Sequence, residues 1–281
     1  MNIKLSSQIR VGKIQYVNTL PFYHGLTGDS PHVHIEENYP AQINRRMQEG
    51  ALDLAPISSL EYAMHPDDYY LLPELCIGAR HFSGSVIFFS KEKIENLNGK
   101  AIGISGESLS SQALLKIILR ERYQFQNQFV VSAGNPGDIL KERVAHLAIG
   151  DKALFYEPVQ FVYKYDLSEL WYDWTNQPFC FSVWAVRRKF FAENSAEVHA
   201  FHRRLKQVTK QNLENLENLL KEGLSFTVAH ERFAQVFSYL SHLIYDFNQE
   251  MQDGLTHFFE RAAKLNLIER VPSLEFIPEE K

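Results

Sequence analysis

The chain has 281 residues, 45% of them hydrophobic and 22% charged, with a formal net charge of -5 at pH 7. That mixture excludes a disordered or fibrous chain and suffices for two lobes. Basic residues are interspersed with acidic ones, which makes nucleic acid and acidic membranes poor partners.

In chain order, the run MNIKLSSQIRVGKIQYV has no apolar core long enough for secretion before Arg10 interrupts it, and no later stretch is long enough to span a bilayer. A cytoplasmic protein is the expectation. Residues 11–17 read as a strand. Asn18 and Thr19 are helix N-cap types, and Pro21 suits a first helical turn, where its missing N–H costs nothing. A strand at 33–37 follows, then a helix opened by Pro40 and closed by Gly50, a strand at 52–57 and a helix capped by Ser58. This alternation predicts a mostly parallel sheet.

The extended runs YYLLPELCIG and SGSVIFFS come next, with a crossing between lobes expected near residues 88–91. A second βα set opens with a strand at 101–104, the turn SGESLSS and a helix with Leu114, Ile117 and Ile118 on one face. QFVV and VAHLAIG read as strands around a helix over 136–143, and FCFSVWAVRR as the strand that returns to the first lobe. Three helices at about 196–222, 228–247 and 249–265 read as cover for that lobe, their leucines and aromatics recurring at three- and four-residue steps. The result is a two-lobed α/β clamshell with C-terminal helices, each lobe a βα sheet domain. Its first lobe is discontinuous, 1–90 plus 182–281, and its second is 91–181. Ligand would sit in the cleft, and hinge closure would exclude water.

The chemistry-bearing residues are few. Cys76 and Cys180 lack CxxC or Cys/His spacing and read as buried free thiols of a reducing compartment. His199 with His202, and His32 with His34, share faces but have no carboxylate or Cys at partner spacing, so all four read as solvated surface and no metal is expected. Asn18 caps a helix and can also donate its amide to a ligand oxygen. Ser58 and Ser59 are not in a nucleophile elbow and have no local His, which leaves hydrogen-bond donation as their role. GESLSS, from Gly106 to Ser111, lacks the Gly-Lys-Ser/Thr ending of a phosphate loop and suits anions in general, carboxylates included. Asp151 is either a carboxylate at a strand end facing the cleft or the cap of the helix beginning at Lys152. Trp171, Trp174, Trp184, Phe179 and Phe181 are core packing or an aromatic cleft wall. Residue types alone do not separate a binder from an enzyme.

Seven runs in one order, GKIQYVNTLP, NRRMQEGALDLAPISSLEYA, YYLLPELCI, SVIFFS, SLSSQALLKIIL, LAIGDKALFYE and YDLSELWYDWTNQPFCFSVWAVRR, resemble the chorismate dehydratases of the futalosine route to menaquinone. The resemblance implies a fold like the type II periplasmic binding proteins, used in the cytoplasm. It also implies loss of water from chorismate to give 3-[(1-carboxyvinyl)oxy]benzoate. A sister family that forms a dihydroxynaphthoate carries His where this chain has Gly150, and a Ser-Pro-Cys-Pro-like strand end where it has YVNTLP, so the dehydratase is favoured. Three departures from the family pattern stand out: Ser110-Ser111 for Thr-Ser, TNQPF for Thr-Gly-Leu-Pro-Phe, and a longer, more basic GARHFSGSV that leaves Arg80 and His81 without a role.

On this reading Asn18 and Asp151 are catalytic, and Thr19, Ser58, Ser59, Ser85, Ser110, Ser111 and Gly150 bind substrate, with no cofactor. Orientation and charge stabilisation come from amides and hydroxyls. The base is the substrate's enolpyruvyl carboxylate, with Asp151 as second choice. A cytoplasmic small-molecule binder or sensor is the competing class. Aromatic faces on the C-terminal helices could bury a second copy in a homodimer.

Overall fold

Two five-stranded mixed sheets organise the chain. The computed structural model describes residues 8–26, 32–158, 162–223 and 226–280. Residues 1–7, on which the reading of the N-terminus partly rests, lie outside them. The chain first lays down β1 (Ile9–Ile14), α1 (Leu20–Tyr23), β2 (Val33–Asn38), α2 (Pro40–Gln48), β3 (Leu54–Ser58), α3 (Ser59–Met64) and β4 (Tyr69–Ala79). All five positions of β3 are buried, which is why LAPIS shows no polar alternation. Then come β5 (Val86–Ser90), β6 (Ala101–Ile104), α4 (Leu109–Ile117), β7 (Gln128–Val131), α5 (Pro136–Glu142), β8 (Ala145–Ile149), α6 (Asp151–Leu154), β9 (Tyr163–Asp166) and α7 (Leu167–Thr175). The last stretch holds β10 (Phe179–Arg187), α8 (Arg188–Glu193), α9 (Ser195–Glu214), α10 (Leu216–Gly223), α11 (Phe226–His242) and α12 (Gln249–Lys264).

The strand orders are β2-β1-β3-β10-β4 and β7-β6-β8-β5-β9. In each sheet the first three strands are parallel and the fourth runs against them. β10 is thus the returning strand that FCFSVWAVRR suggests. β5 differs from expectation, because it pairs with β8 and β9 in the second sheet. The chain has therefore crossed between Ala79 and Val86, ahead of residues 88–91. Asp166 explains the earlier crossing: its carboxylate accepts the N–H groups of Ser83 and Gly84 at 2.9 and 2.7 Å and the Ser83 hydroxyl, so this segment is tied to the second sheet before β5 begins. By sheet membership we propose lobe boundaries there and between Thr175 and Phe179.

One apolar cluster runs through both lobes, from Ile57 and Tyr62 to Phe88, Leu114 and Leu147, joined by Trp171 and Phe258. A second lies between the first sheet and α1, α9, α10 and α11. The helix expected at 196–222 is two helices broken at Asn215. His199 and His202 are buried rather than solvated, 8% and 7% exposed, because they fall on the same face of α9 as Val198, Phe201 and Leu205. A ring nitrogen of His202 lies 2.9 Å from Pro73 O. His32 and His34 are exposed. Trp171 and Trp184 are fully buried core, not cleft wall. Cys76 and Cys180 are buried free thiols.

The sheet end opposite the cleft is closed by Asp53, 1% exposed. Its carboxylate accepts Arg10 N and Nε at 2.9 Å, Arg10 Nη2 at 2.6 Å and Arg187 Nη2 at 2.8 Å. Burial alone would raise its pKa, but these bonds win and hold it below the ordinary 3.8. The Asp53 contribution is therefore complete above pH 4 and lost as pH falls through the depressed value. Asp53→Asn should lower unfolding free energy by about 2 kcal/mol at pH 7, read by urea denaturation, with the gap to wild type closing in acid.

Candidate functional site

The helices α3 and α4 start toward one another from opposite lobes. Ser110 Oγ accepts the Leu60 N–H at 3.0 Å, so one lobe's serine satisfies an orphan amide at the other lobe's helix start. Beside this seam lies a cavity of about 590 Å³, its open mouth included. Its polar lining is Tyr16, Asn18, Ser58, Ser85, Ser108, Ser111 and Ser182, with Gly150 and a wall of Ile14, Ile77, Val86, Ile149, Phe181 and Leu243. Among the described residues no charged side chain lines it.

What these hydroxyls offer follows from their existing bonds. Ser58 Oγ accepts from Glu61 N and Asn44 Nδ2, both at 3.2 Å, which leaves its proton to donate. Ser85 Oγ accepts from the Tyr239 phenol at 2.7 Å and is likewise left a donor. Ser108 caps α4 by accepting the Ser111 N–H, and the two hydroxyls lie 3.0 Å apart, so one proton of that pair remains for a ligand. Ser182 gives its proton to Ile57 O at 2.8 Å. Asn18 Oδ1 is buried without a partner among the described residues. The cavity thus holds three hydroxyl donors and one amide acceptor, the chemistry of a neutral seat for an anion.

Of the residues picked from sequence, Asn18, Ser58, Ser85, Ser111 and Gly150 line this cavity. Thr19, Ser59, Ser110 and Asp151 do not. Thr19 donates to Ile14 O and Tyr16 O, folding the turn after β1. Ser59 donates to Cys180 O, and Ser110 is taken by Leu60. Asp151 lies behind Tyr16, where its carboxylate accepts the Val17 N–H at 3.2 Å across the lobes. Burial raises its pKa to about 6, against the opposing effect of that bond.

Sequence reasoning missed Tyr16, Ser182, Tyr239 and Tyr245, and took Ser108 only as part of the GESLSS anion seat. Tyr16 crosses from the first lobe and donates its phenol to Glu107 at 2.7 Å, and Lys152 Nζ holds the other carboxylate oxygen at 2.6 Å. Burial, then Glu107, pushes that phenol's pKa far above its usual value. The ring lies on Gly150, whose φ of +61° and whose missing Cβ, which would fall 2.5 Å from the ring, both require glycine. Tyr245 donates to Asn18 O at 2.8 Å. Arg80 and His81 stand away from the cavity: Arg80 pairs with Glu250, and the His81 ring packs on Tyr172 at 3.9 Å. Among the described residues no group of three or more His, Cys, Asp or Glu could hold a metal ion, and no helix is long and apolar enough to cross a membrane.

A protein family described as menaquinone biosynthesis matches residues 9–264. Chorismate dehydratase of Thermus thermophilus is 30% identical over 200 residues, covering 64% of this chain and 70% of that one. Among solved structures, protein AF1704 from Archaeoglobus fulgidus superposes with a TM-score of 0.71 at 19% identity, covering 92% of this chain and 98% of its own. The periplasmic aliphatic sulphonate binding protein SsuA from Escherichia coli superposes with a TM-score of 0.64 at 14% identity, covering 95% and 96%. At such identities the structures speak to the fold alone, and the fold is that of the periplasmic binding proteins.

Two outcomes follow from the seam. Gly150→Ala should lose about 2 kcal/mol in urea unfolding, from backbone strain and the Tyr16 overlap. Asp151 binds its proton more tightly folded than unfolded, so its cost is absent below pH 4 and complete above pH 6. Asp151→Asn should accordingly be more stable by about 1 kcal/mol at pH 8, a gain that vanishes by pH 4 in the same measurement.

Proposed function

The chain belongs to the menaquinone biosynthesis family, and from that premise we propose that it is a chorismate dehydratase, a hydro-lyase that eliminates water from chorismate to give 3-[(1-carboxyvinyl)oxy]benzoate. The observation that carries this reading is a cavity between two lobes lined by hydroxyl donors and, among the described residues, by no charged side chain, in a chain 30% identical to a protein of that name. Chorismate is a dicarboxylate whose ring is one dehydration short of aromatic, so the driving force lies in the substrate. The enzyme has to loosen one ring proton and one hydroxide.

The cavity lining supports a division of labour. Serine, asparagine and a phenol held protonated by burial and Glu107 are not bases at neutral pH. The base in this reading is the substrate's enolpyruvyl carboxylate, close to the ring proton beside the ether. That proton leaves, its C–H electrons enter the ring, and the neighbouring C–O bond breaks. The departing hydroxide and one proton make the water. Ser58 and the Ser108–Ser111 pair would hold carboxylate oxygens at the starts of α3 and α4, while Asn18 and Ser85 face the reacting edge.

Gly150 argues for the dehydratase over the dihydroxynaphthoate-forming sister, which carries His at that place. Here the left-handed backbone and the Tyr16 ring leave no room for any side chain. Purified protein mixed with chorismate should produce the aromatic ether, followed by absorbance and chromatography; binding without product would mark a sensor instead. Asn18→Ala should lower kcat about 100-fold with its melting temperature near that of wild type, and full activity in that variant would remove Asn18 from the site.

A further inference from the structure

Two of the cavity groups are held from outside the cleft by C-terminal tyrosines, Tyr239 on α11 and Tyr245 just past its end. Tyr239 on α11 is 4% exposed, and its oxygen lies 2.7 Å from Ser85 Oγ. A phenol is a stronger acid than an alcohol, so the proton between them is the tyrosine's. Ser85 then accepts from Tyr239, and its own proton is turned elsewhere, into the cavity that it lines. Asn18 Oδ1 is buried and without a partner among the described residues. Tyr245 fixes the same asparagine from the backbone side, donating to Asn18 O at 2.8 Å. Ser85 is further anchored by its carbonyl, which accepts the Gly150 N–H at 2.8 Å.

We propose that Tyr239 is a positioning residue for the dehydration: its single phenol sets Ser85 as a donor toward the substrate, without touching the substrate itself. Absent that phenol, the serine hydroxyl has three staggered rotamers, and the cavity no longer presents one donor pattern. The tyrosine comes from α11, 154 residues past Ser85, which makes that helix part of the site. The inference rests on the dehydratase reading.

Chorismate turnover and thermal melting of Tyr239→Phe, Ser85→Ala and the double variant test it. Tyr239→Phe should lower kcat about tenfold with KM within about twofold, and melt within a few degrees of wild type. In the Ser85→Ala background the same change should cost little more, because its effect travels through the serine. Independent, multiplicative losses overturn the proposal, as does a wild-type kcat in Tyr239→Phe. A Tyr239→Phe chain that fails to fold assigns the hydroxyl to stability and overturns it too. Ser85→Ala removes only one small hydroxyl and keeps the fold, and undiminished kcat there is equally fatal. A wild-type chain inert toward chorismate overturns the dehydratase reading and this inference with it, whereas an active wild type beside an unaffected Tyr239→Phe overturns the inference alone.

Discussion

The structure depends on two helix starts brought face to face across a seam between the lobes. Exposed backbone amides at α3 and α4 must be satisfied, and the chain does so by letting one lobe cap the other: Ser110 takes Leu60 N–H, and Ser58 and Ser108 cap their own helices. Because those needs are met by neutral oxygens, the cavity beside them carries donors and, among the described residues, no cationic side chain. A buried lysine or arginine would bind a carboxylate strongly but would need its own compensation once ligand left. Hydroxyls and amides avoid that cost, and their dipoles stay fixed when the cleft is empty.

Tyr16 shows how closure and selectivity are joined. Its ring roofs Gly150 while its phenol reaches Glu107 and, through it, Lys152. The pair of contacts brings the lobes together on one side of the cavity, and Asp151 and Val17 do so just behind. On the far side the continuous apolar cluster through α3, α4 and α12 makes the lobes one packed body. Access is left to the mouth between them.

Much of this was legible in the residues. Strand-to-helix turns at Ser58 and over SGESLSS were visible from small polar residues after apolar runs, and Gly150 came in through the resemblance, as the place where the sister family carries His. The sequence could not say which hydroxyl of neighbouring serines would face inward. Ser58 and Ser59, or Ser110 and Ser111, differ by about 100° around a helix start, and a shift of one residue exchanges cavity for core. Tyr239 and Tyr245 were hidden for another reason: an aromatic at helical spacing looks like packing until the phenol's partner is known. His199 and His202 were misread because their i, i+3 relation was weighed for metal and not against Val198 and Leu205 on the same apolar stripe. The crossing was misplaced because SVIFFS is buried at every position and carries no alternation that assigns it to a sheet.

The exchange of fourth strands has a consequence for synthesis. The first sheet takes β10 between β3 and β4, so it stays open until residue 187 has left the ribosome. The second sheet needs only residues 86–166 and can close earlier. Although its chain is begun later, the inner lobe is the first able to finish, and the N-terminal strands must wait beside it as an unsealed edge.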